Sequence, residues 1–308
     1  MIAIMGAGSQ IARDLICAFA RQGGGELMLF ARDVAAVRAW LASVGWAERY
    51  PVLGYARFAE GEYQAIINFV GVGDPAKAVR MGAAVLEITW HYDSLALDYL
   101  AQHAGCRYLF LSSGAVYGSC FSEPVQEESV AQWPVNRLVA QDYYGLAKLH
   151  AECRHRACPE QAIVDLRVFN YLSHTQDLSA RFLITDLWRA IIGREVVRVT
   201  PDYMVRDFLH PDDFYRLVQA VLQAERYNGP LDCYTRAPVD KPTLLAALQE
   251  QFALRVESAV AAAVNATGSK PHYYSLQRRA AALGYAPALT SLQGILLETE
   301  RVLQRVGQ

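Results

Sequence analysis

The chain has 308 residues, 53% hydrophobic and 19% charged, with a formal net charge of −2. This describes a globular chain with a large core, long enough for one large α/β domain and a smaller lobe. The near-neutral balance, with no Lys/Arg-rich run, argues against a nucleic-acid partner. No apolar run approaches the ~20 residues of a membrane helix, so no membrane partner is expected. No basic and then apolar leader precedes the first strand. Cys17, Cys106, Cys120, Cys153, Cys158 and Cys233 lack CxxC or Cys/His metal spacing. The expectation is a cytoplasmic protein with reduced thiols and no metal.

Ile2-Ala-Ile-Met5 reads as a short buried strand. It runs into Gly6-Ala-Gly8-Ser-Gln-Ile-Ala12 and then a helix with apolar Ile11, Leu15, Ile16 and Phe19. Strand, glycine turn and helix N-terminus together make an anion site suited to a dinucleotide pyrophosphate. Its candidate residues are Gly6, Gly8, Ser9, Gln10 and Ile11. The usual spacing is imperfect, because the third glycine position falls on Ile11 or Ala12. Gly23-Gly-Gly25 should stop the helix.

Leu27–Phe30, Ala65–Val70, Tyr108–Leu111 and Ile163–Val168 are continuous apolar runs, the mark of parallel strands buried on both faces. Alternation of strand and helix predicts a doubly wound parallel sheet of Rossmann type, with ligands beyond the carboxyl ends of its strands. Gly6–Ala12, Gly71-Val-Gly73 and Ser112–Gly118 all follow strands at that rim. From about residue 171 the rhythm weakens. Helical patches at Phe182–Ile192 and Leu244–Phe252 alternate with polar, Pro-containing segments, as in a smaller C-terminal lobe. The expected division is a dinucleotide-binding domain over 1–170, with a return segment near 200–225, and a mainly substrate-binding lobe over 171–308.

Tyr144-Gly-Leu-Ala-Lys148 places a phenol and an ammonium one helical turn apart on one face. A free tyrosine titrates near pH ~10, and a nearby ammonium favours the phenolate and lowers that value. A serine from Ser112-Ser113-Gly-Ala-Val-Tyr-Gly118 can orient an oxygen against the phenol. Together they can move a proton on and off oxygen while a nicotinamide moves the hydride.

These blocks resemble the extended short-chain dehydrogenase/reductase family, the nucleotide-sugar epimerases, dehydratases and ketoreductases. The resemblance extends through Arg167-Val-Phe-Asn170, Arg206-Asp-Phe-Leu-His210-Pro-Asp-Asp213 and Leu283-Gly-Tyr-Ala-Pro287 to Ser291-Leu-Gln-Gly294. It implies that Tyr144 is the acid/base, that Lys148 holds the nicotinamide ribose and depresses the tyrosine's pKa, and that Ser113 contacts the substrate oxygen. It adds Val70, Gly71 and Phe169 to the cofactor rim and Asn170 to the substrate side. Arg206 resembles an arginine that pairs with substrate phosphates; the alternative is an ion pair with Asp207 or Asp212. Arg167 is open between the rim and a structural ion pair. Tyr143 reads as packing and His91 as structural, with Thr89 where relatives usually carry an asparagine.

Three departures narrow the reading. The second strand ends Phe30-Ala31-Arg32, without the usual aspartate, which favours the 2′-phosphate of NADP(H) over NAD(H). Asp33 is left to the ribose hydroxyls or, better, to capping the next helix. After Ser113 stand Gly114 and Ala115, where 4,6-dehydratases carry an Asp-Glu pair, so elimination of water lacks its acid and base. Ser9 and Ala12 replace glycines of the turn, a change small enough to leave cofactor binding intact. The favoured function is reduction by NADPH of a keto group, C4 above others, of a nucleotide-activated sugar. The alternative is a C4 epimerase with tightly bound NAD, and a non-catalytic NADP(H) sensor is a third reading. A homodimer is open by analogy with the fold alone.

Overall fold

The computed structural model describes residues 1–72, 75–180, 182–259 and 270–307. Its central strands are β1 (Ile2–Met5), β2 (Leu27–Phe30), β3 (Val52–Leu53), β4 (Ala65–Asn68), β5 (Arg107–Ser113) and β6 (Ala162–Val168). A later strand, Gly229–Asp232, pairs with β6 to complete a seven-stranded sheet. From that outer strand the order is β6-β5-β4-β1-β2-β3, every pairing parallel. The doubly wound sheet is the expected one. β1 and β4 are buried at every position, which is why their sequences are apolar without alternation. β3 and Gly229–Asp232 were not legible as apolar runs: one is two residues long, and the other carries Pro230 and Asp232 at an edge.

The helices are α1 (Gln10–Gln22), α2 (Val34–Ser43), α3 (Pro75–Met81), α4 (Ala84–Gln102), α5 (Tyr143–Arg156), α6 (Leu183–Gly193), α7 (Pro211–Gln223), α8 (Lys241–Phe252) and α9 (Ser291–Val306). Ser9 caps α1 by accepting from the Ala12 amide, and Gly23 ends it in the left-handed conformation, as its sequence position predicts. Leu15, Ile16 and Phe19 of α1 share a buried cluster with Phe214, Leu217 and Val221 of α7 on one face of the sheet. Each such side chain is worth roughly 1.5–3 kcal/mol of burial. The other face packs Ala96 and Leu100 of α4 and Ala151 of α5 on Met5, Ile66, Phe110 and Ile163. A separate cluster joins Leu187 and Trp188 of α6, Leu248 of α8, and Ile295 and Val302 of α9. The predicted helical patches correspond to α6 and α8. No helix among the described residues is long and apolar enough to cross a membrane.

The winding reverses between β1 and β4. In doubly wound sheets such a reversal marks the place of a ligand crevice at the carboxyl edge. The predicted glycine turn, the Gly71 loop and the end of β5 stand at that edge. Gly73, the last residue of the expected Gly71-Val-Gly73 turn, lies outside the described residues.

Candidate active site

Gly6 adopts φ +75, and a Cβ there would stand 2.9 Å from both the Phe69 carbonyl carbon and the Val70 nitrogen. Only glycine lets the β1 and β4 loops approach so closely. Asn68, at the end of β4, accepts from the Val70 amide at 2.8 Å and fixes the second loop. Gly71 faces α5, with its Cβ position 3.3 Å from Lys148 Nζ. The side-chain nitrogen of Gln10, in the first turn of α1, is buried with no partner. A glycine cradle, a helix N-terminus and an orphaned donor all fit a dinucleotide. Gly8, Ser9 and Ile11 lie in the same turn, and Arg32 is exposed at the end of β2. Asp33 accepts from the Ala36 amide at 2.9 Å, so it serves as the α2 cap.

Ser113 ends β5. Its Oγ accepts from the Ala115 amide at 3.2 Å, lies 3.5 Å from Tyr273 Oη and acts on the nearby Tyr144 phenol. Ser112 turns the other way and donates to Glu152 at 2.5 Å. On α5, Tyr144 packs against Val72, Ala78, Val85 and Ala147. Burial pushes its phenol above the usual value, and the Ser113 hydrogen bond opposes this only in part. The expected lowering by Lys148 is therefore corrected. The ammonium lies 6.0 Å from the Tyr144 ring centroid and directs a 2.7 Å hydrogen bond at the Leu111 carbonyl. Burial also takes Lys148 down to about 8, against the pull of Asp93, Glu152 and Asp165. In this state the pair is a protonated phenol and a partly destabilised ammonium.

A second cluster flanks Ser113. Arg206 donates to the carbonyls of Val205 at 2.8 Å and Pro271 at 3.3 Å, and pairs with no carboxylate among the described residues. The alternative ion pairs are absent: Asp207 accepts from Thr235 and Ser291, and Asp212 faces His210. Lys270 Nζ sits 4.8 Å from the Tyr273 ring centroid, and the Arg206 guanidinium 6.0 Å from it. Burial pushes Arg206 down to about 10; burial and then Arg206 push Lys270 down to about 8. Two half-buried cations sharing one ring make a site for a multivalent anion.

Phe169 is buried, its ring 5.1 Å from that of Tyr273, and Asn170 donates to the backbone carbonyls of Asp207 and Tyr273 at 3.2 and 3.3 Å. Arg167 resolves as structural. It grips Glu152 through two nitrogens, donates to Tyr117 at 2.6 Å and lies 3.5 Å from Asp232. His91 is exposed against Tyr92, whereas Thr89 is buried. A Cβ on Gly114 would meet the Phe169 ring at 2.4 Å, which leaves no room for an acidic side chain beside Ser113. Sequence reasoning missed three residues here. Tyr273 and Lys270 belong to a stretch without periodicity. Tyr55, whose hydroxyl accepts from the Gly6 amide at 2.8 Å, carries no motif at all.

The model of the NAD dependent epimerase/dehydratase family matches residues 2–231. The chain belongs to that family. A UDP-glucose 4-epimerase 2 of Oryza sativa subsp. japonica is 34% identical over 123 residues, 37% of this chain and 27% of that protein. The match thus spans about a quarter of the relative's length. Solved structures give the fold over the whole chain. The UDP-glucose 4-epimerase of Thermotoga maritima, with UDP-glucose, has a TM-score of 0.78 at 16% identity, covering 100% of this chain and 99% of the other. The UDP-glucuronic acid 4-epimerase of Bacillus cereus, with NAD, gives 0.76 at 14% identity, with 100% and 99% covered. The dTDP-glucose 4,6-dehydratase of Bacillus anthracis, with NAD, gives 0.78 at 14% identity, with 100% and 97% covered.

Proposed function

We propose that this family member moves hydride to and from a sugar carbon, C4 by its relatives' names, of a nucleotide-activated sugar, and that net reduction by NADPH is its direction. The observation that carries this is the convergence of Ser113 and Tyr144 hydroxyls at the end of β5, between the Gly6 crevice and the Arg206/Lys270 pair. A dinucleotide would be held by Gly6, Gly8, Ser9, Gln10 and Ile11 at its pyrophosphate, by Arg32 at its adenosine end, and by Val70, Gly71, Lys148 and Phe169 near its nicotinamide. When bound, the nicotinamide supplies or accepts the hydride. The protein's part is the proton. Tyr144, kept protonated by burial, donates it to the forming alkoxide, and Ser113 holds that oxygen in line. Arg206 takes the diphosphate and Asn170 holds the backbone on the sugar side.

The absent aspartate after β2 and the exposed Arg32 favour NADP(H) and therefore an exchanged cofactor. A C4 epimerase is the second reading, favoured by the names of the similar structures and the NAD two of them hold. Water elimination is disfavoured by the ring packed on Gly114. Mass spectrometry of the dinucleotide released on denaturing the purified protein tests the choice. No stoichiometric NAD(H), followed by reversible NADPH uptake and its oxidation by 4-keto nucleotide-sugars, is the expected result. Near-stoichiometric NAD(H) with interconversion of C4 epimers would replace reduction by epimerisation. No hydride transfer with any nucleotide-sugar would sink both.

A further inference from the structure

Two cations beside Ser113 lack a counter-charge among the described residues. Nη1 of Arg206 donates to the carbonyls of Val205 and Pro271, and no acceptor among the described residues meets its Nε or Nη2. Lys270 Nζ faces aromatic rings, with the centroid of Tyr273 at 4.8 Å and that of Phe121 at 5.4 Å. Asp202, the carboxylate that acts on Arg206, is itself held by Lys241 at 3.0 Å. Residues 260–269, immediately before Lys270 and outside the described residues, contain no Asp or Glu. An aromatic face attracts a cation without neutralising it. Half-burying two like charges unpaired is costly, and such a cost persists where a ligand supplies the missing charge.

The segment from Lys270 to Ser275 is pinned along its length. His272–Tyr273 runs parallel to Val205–Arg206, with Tyr273 in register with Arg206. The His272 amide donates to the Phe121 carbonyl at 2.9 Å, and the Tyr274 carbonyl accepts from the Val125 amide at 2.9 Å. Ser275 Oγ donates to Asp232 at 2.6 Å. These bonds hold the Tyr273 ring against both cations while its hydroxyl lies 3.5 Å from Ser113 Oγ. One side chain therefore spans the interval between the two cations and the end of β5.

We propose that Lys270 is a second ligand of the substrate's diphosphate, which it and Arg206 clamp at one phosphate each while the sugar lies toward Ser113. A diphosphate diester carries one negative charge on each phosphate, and each cation matches one of them. Arg206 offers the free edge of a planar fork, and Lys270 a point charge with three donors. At about 8, Lys270 remains roughly nine-tenths ammonium at pH 7. A sugar linked to the clamped diphosphate is then left in the interval that Tyr273 spans. The proposal rests on the reading of this cleft as a nucleotide-sugar site, but its first test does not need turnover.

That test titrates the full chain, labelled with 13C at lysine Cε, with inorganic pyrophosphate at pH 7. The lysines are Lys77, Lys148, Lys241 and Lys270, and the spectrum of Lys270→Met identifies the resonance of interest. Pyrophosphate should move the Lys270 resonance saturably, and inorganic phosphate should bind about tenfold more weakly or worse. Arg206→Met should raise the pyrophosphate midpoint read at Lys270 by about tenfold, because one of two charge-assisted contacts is gone. In steady state, Lys270→Met should raise KM for a nucleotide-sugar about tenfold with kcat little changed and thermal stability held or raised. Lys270→Arg, which keeps the charge, should restore KM. Pyrophosphate that leaves Lys270 unmoved, being held by the Gly6 turn instead, would overturn the clamp. So would equal affinity for inorganic phosphate, a midpoint indifferent to Arg206→Met, or a KM indifferent to Lys270→Met. If pyrophosphate moves Lys270 as expected but no nucleotide-sugar is turned over, the clamp stands and the function proposed above falls.

Discussion

Tyr144→Phe separates chemistry from architecture. The ring keeps its packing on Val72, Ala78, Val85 and Ala147, and the hydroxyl loses one hydrogen bond, to Ser113. That interaction is worth at most about 1 kcal/mol net, and removing a half-buried phenol returns part of its desolvation. Stability should change by less than about 1 kcal/mol, or roughly 2 °C for a chain of this size. Dinucleotide affinity should be unchanged within a factor of about two, since no contact attributed to the cofactor involves Tyr144 Oη. The proton, by contrast, would have to come from the Ser113 hydroxyl or from Tyr273, whose hydroxyl lies 3.5 Å from Ser113 Oγ. Positioned proton transfer contributes about 10²–10⁴ in rate, or about 3–5 kcal/mol of barrier. The assay is NADPH absorbance against a 4-keto nucleotide-sugar, with tryptophan fluorescence reporting cofactor binding in the same samples. A folded, cofactor-binding Phe variant that retains more than about a tenth of wild-type kcat would refute the assignment of Tyr144.

Three further outcomes follow from the same geometry. Gly6→Val places a Cβ 2.9 Å from two backbone atoms at φ +75, a strain of about 1–3 kcal/mol, so dinucleotide binding by fluorescence titration should be abolished before folding is. Retained affinity would mean that the cofactor lies elsewhere. Arg206→Met removes a cation without an ion pair, so thermal stability should hold or rise, while KM for a nucleotide-sugar climbs about ten- to a hundredfold with kcat little changed. A KM unmoved by this substitution would detach Arg206 from the diphosphate. Glu298 of α9 accepts from His174 at 2.8 Å and His210 at 3.0 Å, bonds that outweigh its burial and hold its carboxyl well below the usual range. A depressed carboxyl stabilises above its unfolded value near ~4.3 and loses that contribution as pH falls below it. Glu298→Gln should cost about 3 kcal/mol at pH 7 and flatten the acid limb in urea melts at graded pH; an acid limb as steep as wild type would contradict this.

What could be read from the amino acids was what depends on local order. Continuous apolar runs gave β1, β2, β4, β5 and β6, because strands buried on both faces need no alternation. Gly23 gave the end of α1, because left-handed φ is cheap only for glycine. Tyr144, Lys148 and Ser113 were legible because fixed spacing on one helix and one strand end determines where they meet. Residues that meet through the tertiary fold leave no such trace. Tyr55 reaches the Gly6 amide across 49 positions and Tyr273 reaches Ser113 across 160. The edge strand Gly229–Asp232 depends on β6 for its existence, not on its own composition.

The error over Tyr144 has the same root, and it shows how the site divides its work. Four residues on a helix guarantee that phenol and ammonium share a face. They say nothing about whether water lies between them or which acceptor takes the ammonium's proton. Here the sheet edge buries Lys148 and half-buries Tyr144, and Leu111 takes the hydrogen bond. Burial then favours the neutral form of each, raising the tyrosine and lowering the lysine. A phenol held as the acid suits the delivery of a proton to an alkoxide, which is the reductive direction. The lysine is the one brought closer to losing its charge, since burial takes it down to about 8. The Tyr144/Lys148 motif can be read from a short stretch of the chain, while the protonation state of its two groups is set by burial that only the tertiary fold imposes.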